Sequence, residues 1–338
     1  MFPPEFRLVS WILQNAAGTK YDLSSSGLPQ PDLEKMGIDT SYATFLRAKE
    51  DHEALLAESV AGLYGVEAAD VVATTGGSEA IFLMNSVFGK GRAVVPLPNY
   101  EPMFGIPSWL GMQLTSSMKA RVFPGAVYGV TNPNNPTGSF LDEEAVGRLA
   151  EVSKVASVFV NEAYGGFTFR RPHSLFAEHP RFVACSTMTK FYGLGWLRVG
   201  WMLASPDNAR LLQRARRLVS GHNSEYSLWV ARQVLDRRER FVQRARKIHS
   251  ENLALVKEFA GSARGVTVTL PEAAPFCLVR YAKGPDSVTF ARRLLAERGV
   301  LVSPGDYFGA PKSFRLCFTA RRDVLAAGLE RLATFLEA

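Results

Sequence analysis

The sequence predicts an α/β fold in which a mostly parallel sheet is sandwiched between helices, with a smaller α+β domain beside it. Between residues 71 and 219, short apolar runs alternate with longer segments of helical periodicity, a pattern typical of parallel strands buried on both faces. After about residue 245 the pattern changes to strands and helices in mixed order. We therefore expect a large domain over residues 31–245 and a small domain formed by residues 1–30 and 246–338.

The predicted elements follow this alternation along the chain. Residues 1–40 are rich in Gly, Pro and Ser, and the stretch SSSGLPQPDLEKMG within them is expected to form loop. The apolar spacing of residues 48–64 predicts a helix. The segments GVLVSPG and SFRLCFT predict two strands of the small domain. The strands of the large sheet are expected at residues 71–75, 93–98, 126–131, 157–164, 182–187 and 199–205. Further helices are expected at residues 78–88, 142–153, 206–219, roughly 228–260, 287–298 and 321–337.

Composition excludes several classes of protein. Of the 338 residues, 47% are hydrophobic and 21% are charged, so the chain can bury a large core and is neither disordered nor a disulfide-stapled miniprotein. No apolar run approaches the ~18 residues of a membrane-spanning helix, and the N-terminus lacks the pattern of a signal peptide. The three cysteines are widely spaced and are expected to be free thiols. We therefore expect a cytoplasmic protein without a membrane partner.

The formal net charge of +7 raises the question of a nucleic-acid partner. Basic residues crowd into residues 210–247, where Leu, Val and Phe recur at helical spacing, so the solvated face of long helices is the favoured interpretation. No zinc-finger spacing, RNP-like motif or helix-turn-helix signature is present, and we expect no nucleic-acid partner. The five histidines form no recognisable ligand pattern, so no metal site is expected.

The segment ATTGGSEA, residues 73–80, is a candidate anion site. A strand ends there, two glycines follow, and Ser78 opens a helix. Glycines allow backbone N–H groups to approach an anion closely, and the helix N-terminus adds partial positive charge. Gly77 and Ser78 are the candidate ligands, although an ordinary strand-to-helix turn would leave the same pattern.

The segment TMTKFYGLGWLRVGW, residues 187–201, contains a candidate reactive amine. Lys190 follows a predicted strand. Its neighbours in sequence are apolar or aromatic and disfavour solvation of the amine; they are Phe191, Tyr192, Leu194 and Trp196. A desolvated lysine has a lowered pKa, and its neutral amine can form a Schiff base with an aldehyde. Thr187 and Arg198 could hold a phosphate through a hydroxyl and a guanidinium. A lone lysine is more commonly a surface residue.

Two other strand ends carry polar side chains. The segment VTNPNNPTG makes a stiff turn, from which Asn135 could donate its amide to a ring oxygen or a carboxylate. In FVNEAYGGF, strand alternation places Asn161 and Ala163 on one face and Glu162 on the other. Tyr164 follows, where its hydroxyl could reach a ligand. Because ligands of parallel sheets bind beyond the carboxyl ends of the strands, these residues are site candidates.

The motifs GGSEA, PNY, NPNNPTG, NEAY, T-x-T-K with an arginine eight residues after the lysine, VLVSPGDYFG and FRLCF occur in one order. Together they resemble the class I/II aminotransferases, enzymes of fold type I that use pyridoxal 5′-phosphate (PLP). The resemblance runs from about residue 40 to residue 320. It implies amino transfer between an α-amino acid and a 2-oxo acid, PLP as cofactor, and a homodimer with shared active sites.

The resemblance also implies roles for individual residues. Lys190 matches the lysine that bonds the cofactor and moves the substrate proton, and Tyr100 matches the aromatic residue that stacks on the pyridine ring. Asn135 and Tyr164 match the residues that bond the phenolic oxygen of PLP. The matches to the phosphate site are Gly77, Ser78, Thr187 and Arg198, with Tyr42 reaching the phosphate of a neighbouring subunit. The matches to the substrate site are Arg315, which would clamp the α-carboxylate, Asn135, and Gly27 at the substrate mouth.

Asn161 departs from the family pattern, which usually has Asp at this position to keep the pyridine nitrogen protonated. A neutral amide cannot supply the charge that raises the pKa of that nitrogen, so weaker stabilisation of the substrate carbanion is expected. Two alternatives stay open at this point. The first is a PLP-dependent lyase or decarboxylase similar to threonine-phosphate decarboxylase, and the second is a catalytically weak PLP-binding protein.

Overall fold

The computed structural model describes residues 2–118 and 121–337. Within these residues the strands are, in chain order, β1 (Tyr21–Asp22), β2 (Val71–Thr74), β3 (Arg92–Val94), β4 (Gln113–Thr115), β5 (Val127–Thr131), β6 (Ser157–Asn161), β7 (Phe182–Thr187), β8 (Gly200–Leu203), β9 (Val266–Thr269), β10 (Phe276–Tyr281), β11 (Val300–Leu301), β12 (Ser303–Pro304) and β13 (Ser313–Cys317). The helices are α1 (Arg7–Asn15), α2 (Tyr42–Phe45), α3 (His52–Tyr64), α4 (Gly77–Phe88), α5 (Glu101–Trp109), α6 (Glu143–Val152), α7 (Leu175–Glu178), α8 (Pro206–Val219), α9 (Glu225–Asp236), α10 (Arg238–Ser262), α11 (Ser287–Arg298) and α12 (Arg322–Glu337).

Seven strands form the central sheet, in the order β2-β8-β7-β6-β5-β3-β4. All pairs are parallel except those of β8, which runs antiparallel to both β2 and β7. The carboxyl ends of β2, β5, β6 and β7 therefore meet at one edge of the sheet. Because β8 runs the opposite way, the residues that precede it come to the same edge, and Gly200 pairs there with both Thr74 and Thr187. The mostly parallel sheet is as predicted.

Helices cover both faces of this sheet. One face packs against buried side chains of α3, α6 and α9, such as Leu56, Leu149 and Leu228. The other face packs against α4, α5 and α8, through residues such as Leu83 and Leu212. Strands β2, β5 and β8 are buried along their whole length. This two-sided burial explains why their sequences are continuous apolar runs rather than alternating ones.

A second, smaller core lies outside the central sheet. Its four-stranded antiparallel sheet has the order β12-β13-β10-β9, and a separate parallel pair joins β1 to β11. Helices α1, α10, α11 and α12 contribute to this core through residues such as Trp11, Val256, Leu294 and Leu325. The N-terminal segment thus packs with the C-terminal elements. The domain boundaries at residues 30 and 245 stay a prediction, since α10 runs through the second of them.

Two local expectations are wrong. The predicted helix 228–260 is two helices, because Arg237 has a non-helical backbone (φ −110°, ψ 22°) that lets α9 pack against α3 while α10 continues to α12. The strand expected in GVLVSPG is divided into β11 and β12, which pair with different partners. Helix α1 is not among the predicted elements; its Leu8 and Trp11, three residues apart, share one buried helix face.

The segment of residues 24–28, which follows β1, lies between the two cores. Its Leu28 N–H donates to the carbonyl of Lys190 at 2.9 Å, and the Leu23 carbonyl before it accepts from Cys317 N–H at 2.8 Å. A Cβ atom at Gly193, whose φ is +72°, would lie 2.7 Å from the Leu28 carbonyl oxygen, so a side chain there would push the segment away. The segment is therefore held by the central sheet on one side and by β13 on the other.

Candidate active site

A cleft at the carboxyl edge of the central sheet collects the polar residues that follow its strands. The predicted residues that the structure brings together here are Gly77, Ser78, Tyr100, Asn135, Asn161, Tyr164, Thr187, Lys190 and Arg198. Three further residues, which were not predicted, also line the cleft: Thr131, Ala163 and Thr189. Segments from residue 77 to residue 198 thus converge because the topology directs their strand ends to one edge. Thr189 could have been found from the T-x-T-K spacing.

Lys190 lies in this cleft just after β7. Desolvation lowers the pKa of its amine below the ordinary value, and the nearby Arg315 and Arg198 lower it further, while Tyr100 and Cys317 act in the opposite direction. Phe191 and Leu194 are buried beside it as expected. Trp196 is not, because 46% of its surface is exposed, and the expectation that it shields the lysine is wrong. The lowered pKa favours a neutral, nucleophilic amine.

An anion cradle is formed where α4 begins. Gly76 precedes the helix with φ +119°, and no side chain caps the helix N-terminus, so the first N–H groups remain available. A Cβ atom at Gly76 would lie 2.9 Å from Nη2 of Arg198, which shows how closely the guanidinium approaches the turn. Arg198 itself has a left-handed backbone (φ 53°). Unfilled helix N–H groups beside a guanidinium are suited to a phosphate.

The hydroxyl groups of Thr187 and Thr189 face each other beside this cradle. Their oxygens lie 3.0 Å apart, and Thr187 Oγ1 also donates to the carbonyl of Val199 at 3.1 Å. The hydroxyl of Thr187 is therefore engaged with the backbone before β8. Of the two hydroxyls, that of Thr189 is freer to bind an added group, a difference that sequence spacing alone could not reveal.

Asn161 ends β6 and has a fixed amide orientation. Its Oδ1 accepts from the backbone N–H of Ala163 at 3.2 Å. Because a backbone N–H can only donate, the oxygen must be the atom that faces Ala163, and the Nδ2 group is directed elsewhere. The residue is 4% exposed and lines the cleft. Asn161 therefore presents a donor to the cleft, where an aspartate would present a charge.

Arg315 on β13 is a buried cation without a buried anion. Only 1% of the residue is exposed, and its contacts are Asn135 Oδ1 at 3.0 Å, the Ser24 carbonyl at 2.9 Å and Ser303 Oγ at 3.3 Å. Its guanidinium lies 4.9 Å from the ring centroid of Phe308. Among the described residues no carboxylate forms an ion pair with it, and its Nε has no partner. Such a guanidinium is suited to binding the carboxylate of a ligand.

Tyr164 and Lys190 are joined by a residue that sequence reasoning missed. The Tyr164 hydroxyl donates to Ser26 Oγ at 2.9 Å, and Lys190 Nζ donates to the same oxygen at 3.2 Å. Burial raises the pKa of Tyr164 to about 12, so its phenol keeps its proton at neutral pH. Ser26 lies in a segment that the sequence identifies only as loop, and nothing in its spacing links it to residues 138 or more positions away.

Besides Arg315, two predicted residues do not line the cleft. Tyr42 lies on α2 with 62% of its surface exposed, and its ring packs near Phe45 and Tyr226. Gly27 lies behind the lysine, where a Cβ atom would be 2.9 Å from the Thr189 carbonyl oxygen. In this single chain, therefore, Tyr42 is not part of the site, and Gly27 contributes by close backbone approach rather than by lining the mouth.

Glu162 lies behind Asn161, on the opposite face of β6. Its carboxyl is buried, accepts from the Leu175 N–H at 2.8 Å, and has its pKa raised to about 8 by desolvation. It does not line the cleft, in agreement with the strand alternation expected for this segment.

All three cysteines are free and buried.

Comparison with known proteins agrees with this architecture. The sequence profile of the family "Aminotransferase class I and II" matches residues 42–332. A histidinol-phosphate aminotransferase from Pseudomonas entomophila is 30% identical over 73% of this chain and 73% of its own length. A PLP-dependent aminotransferase from Streptococcus suis superposes with a TM-score of 0.88 at 25% identity, covering 100% of this chain and 98% of that chain. A Thermus thermophilus aspartate aminotransferase variant, 20% identical, has a TM-score of 0.85 over 99% of this chain and 97% of its own.

In residues 2–118 and 121–337, no helix combines the length and the apolar character needed to cross a membrane. The same residues contain no group of three or more His, Cys, Asp or Glu side chains placed to hold a metal ion.

The buried carboxyl of Glu162 predicts a pH-dependent stability. Its pKa rises from 4.5 in the unfolded chain to about 8 in the folded one, so folding takes up a proton between these values. Its contribution is therefore complete below pH ~4.5 and is lost progressively up to pH ~8. We therefore expect the free energy of unfolding of Glu162→Gln, relative to that of the wild type, to increase by ~2–4 kcal/mol between pH ~4.5 and pH ~8.

The free energy of unfolding is measured by denaturant titration at several pH values. Glu330→Gln, which changes an exposed helix residue, serves as the control and should follow the wild type at every pH. A constant difference between Glu162→Gln and the wild type from pH 4.5 to pH 8 would show that the carboxyl is not protonated in the folded state.

Proposed function

The chain belongs to the class I and II aminotransferases, PLP-dependent enzymes that move an amino group between an α-amino acid and a 2-oxo acid, and we propose that the cleft around Lys190 carries out this reaction. The observation that carries the proposal is a desolvated amine placed between an anion cradle and a buried guanidinium. The family resemblance seen in the motifs is thereby confirmed, and the residue roles below are proposals.

The cleft fits the cofactor at its phosphate and at its ring. The uncapped N-terminus of α4, Ser78, Thr189 and Arg198 would hold the phosphate, because they offer several donors beside a glycine that leaves no room for a side chain. Tyr100 would lie against the pyridine ring, and its aromatic face suits that contact. When bound, PLP supplies an electron sink that stabilises negative charge at the substrate α-carbon.

Lys190 would act as both the attachment point of the cofactor and the proton carrier of the reaction. Its lowered pKa increases the neutral fraction of the amine, and only the neutral Nζ can accept a proton from the substrate α-carbon. The same Nζ then holds that proton and releases it as the amino group is transferred. One buried amine can thus serve both half-reactions.

Arg315 would orient the substrate by binding its α-carboxylate with two N–H groups. The guanidinium is fixed by Asn135, Ser24 and Ser303, so its position is set before the substrate binds. Asn135 and the donor of Tyr164 would bond the phenolic oxygen of the cofactor. Arg315 bonds Asn135, which lines the cleft together with Lys190, so the substrate carboxylate would be held on the Asn135 side of the cleft.

The substrate side chain is proposed from the relatives. Relatives such as the Pseudomonas entomophila protein are named histidinol-phosphate aminotransferases, so histidinol phosphate belongs among the first amines to test with a 2-oxo acid acceptor. Strict dependence of product formation on the 2-oxo acid is the expected outcome for a transaminase. Product formed without the acceptor would instead indicate a lyase or decarboxylase. The three free, buried thiols are compatible with the cytoplasmic location that we propose.

The covalent role of Lys190 can be tested directly. The purified protein incubated with PLP should show a cofactor absorbance band, and borohydride reduction should fix the cofactor on the peptide that contains Lys190. Lys190→Ala should lose the fixed adduct and nearly all transamination. An adduct on another lysine, or an unchanged Lys190→Ala variant, would contradict the assignment.

Asn161 is proposed to limit the rate of this enzyme. Its amide supplies a hydrogen-bond donor where the family pattern has a carboxylate, and a donor cannot stabilise a protonated ring nitrogen. We expect Asn161→Asp to raise kcat for transamination by at least ~10-fold, which corresponds to ~1.4 kcal/mol of transition-state stabilisation. Steady-state kinetics of both proteins with one donor and one acceptor checks this, and an equal or lower kcat in the variant would refute it.

We further propose a homodimer in which Tyr42 of each subunit reaches the phosphate bound by the other. The exposure of Tyr42 on its own chain supports this proposal. Removing one hydrogen bond to a charged group should raise the dissociation constant for PLP by ~10-fold or more in Tyr42→Phe. Cofactor titration measures this, and light scattering checks that the variant keeps twice the 37.2 kDa chain mass. An unchanged dissociation constant in a dimeric variant would exclude the contact.

A further inference from the structure

One hydroxyl group touches both titratable groups at the centre of the cleft. Ser26 Oγ lies 3.2 Å from Nζ of Lys190 and 2.9 Å from the hydroxyl of Tyr164. Ser26 is 6% exposed and Tyr164 is 2% exposed, so water does not compete freely for these bonds. None of the roles proposed above uses Ser26.

The position of Ser26 is fixed from both sides of the segment that carries it. The next residue, Gly27, has no room for a side chain, since a Cβ atom would lie 2.9 Å from the Thr189 carbonyl oxygen. Leu28 then bonds the Lys190 carbonyl at 2.9 Å. Two residues earlier, the Ser24 carbonyl accepts from Nη2 of Arg315 at 2.9 Å. The hydroxyl therefore has a defined place relative to both the amine and the guanidinium.

The bonds of Ser26 depend on the charge of Lys190, as a count of hydrogen atoms shows. A serine hydroxyl has one proton to donate and two lone pairs to accept with. While the amine is neutral, Ser26 accepts from Tyr164 and donates its proton to the lone pair of Nζ. Once the amine is protonated it has only N–H donors, so the second lone pair of Ser26 accepts from Nζ while the first still accepts from the Tyr164 hydroxyl, and the Ser26 proton turns away from Nζ. No proton changes its heavy atom in this rotation.

We propose that Ser26 is a positioning residue of the amino-transfer reaction, whose hydroxyl rotates with the charge of Lys190 and thereby links the lysine to Tyr164. In the protonated state Ser26 accepts from both Nζ and Tyr164, so two donors share one oxygen. In the neutral state Ser26 still accepts from Tyr164 but donates its own proton to Nζ. This inference rests on the proposed function only for its place in the reaction, because the linkage itself is a property of the chain.

The surroundings of Lys190 determine the direction of the effect. Desolvation and the two cations disfavour the protonated amine, so an acceptor for its N–H groups matters most in the charged state. Hydrogen bonds to charged groups are stronger than those between neutral groups. Ser26 should therefore raise the pKa of Lys190 above the value that the other neighbours would give. The titratable or charged groups that act on the amine are Tyr100, Tyr164, Arg198, Arg315 and Cys317.

The test is the pKa of Lys190 in the full-length protein freed of cofactor. The rate of acylation of Lys190 by acetic anhydride is followed against pH by peptide mass spectrometry, because only the neutral amine reacts. Ser26→Ala should lower this pKa by about 0.5–1 unit. Ser25→Ala is the matched control, since Ser25 is the neighbouring residue, is exposed, and makes its contact with Thr319 through its carbonyl. In Ser25→Ala the pKa of Lys190 should equal that of the wild type.

Tyr164→Phe tests the linkage from its other end. In the presence of Ser26 it should raise the pKa of Lys190, because the protonated amine no longer shares the Ser26 oxygen with a second donor. In the Ser26→Ala background the same change should have no effect beyond error, since the bridge is already gone. Circular dichroism spectra that match the wild type establish that each variant is folded.

The inference is overturned if Ser26→Ala leaves the pKa of Lys190 unchanged or raises it, or if Tyr164→Phe shifts it equally in both backgrounds. Because these measurements need neither cofactor nor turnover, they succeed or fail independently of the aminotransferase assignment. In the loaded enzyme, the acid limb of the kcat profile should move to lower pH in Ser26→Ala by the same amount, because the free amine must be neutral to accept the substrate proton. An unmoved acid limb would remove Ser26 from the reaction while leaving the linkage intact.

Discussion

Three positive side chains lie in or beside the cleft without a carboxylate paired to any of them. Lys190, Arg198 and Arg315 form no ion pair among the described residues, and of the two arginines Arg315 is buried whereas Arg198 is exposed. Burial of a charge without an anion is costly, and around Arg315 the chain offsets part of this cost with a backbone carbonyl, an aromatic ring and an amide oxygen. The remaining positive potential is what an anionic phosphate and a carboxylate would neutralise. This arrangement is suited to ligands that carry two anionic groups.

The topology of the sheet explains how residues so far apart in sequence reach this cleft. The antiparallel direction of β8 is the decisive detail, because it brings the turn that contains Arg198 to the same edge as the ends of β2 and β7. Gly200 then allows this turn to lie close, since a Cβ atom there would be 2.9 Å from Cα of Gly76. The proposed anion cradle is therefore formed by the ends of β2 and β7, which run in one direction, and by the start of β8, which runs in the other.

Much of the central sheet was accessible from sequence, because its buried strands are continuous apolar runs and each ends in a recognisable polar motif. Gly77, Lys190 and Arg198 could be placed for the same reason. The break between α9 and α10 could not be predicted from the sequence, because the residue at the break, Arg237, is not of a type that signals a helix end. Ser26 was missed because its partners are distant in sequence and its own segment looks like an ordinary loop. Periodicity reports which face is buried, but not which loop crosses which strand.

The 24–28 segment has a consequence for the order in which the protein matures. Its Ser24 carbonyl accepts from Arg315, 291 positions later, so the cleft is complete only once β13 has been made. A growing chain on the ribosome therefore has a nearly complete central sheet long before it has a finished binding cleft. Since such distant contacts form late, we expect vitamin B6 capture to follow the synthesis of β13 rather than the folding of the central sheet.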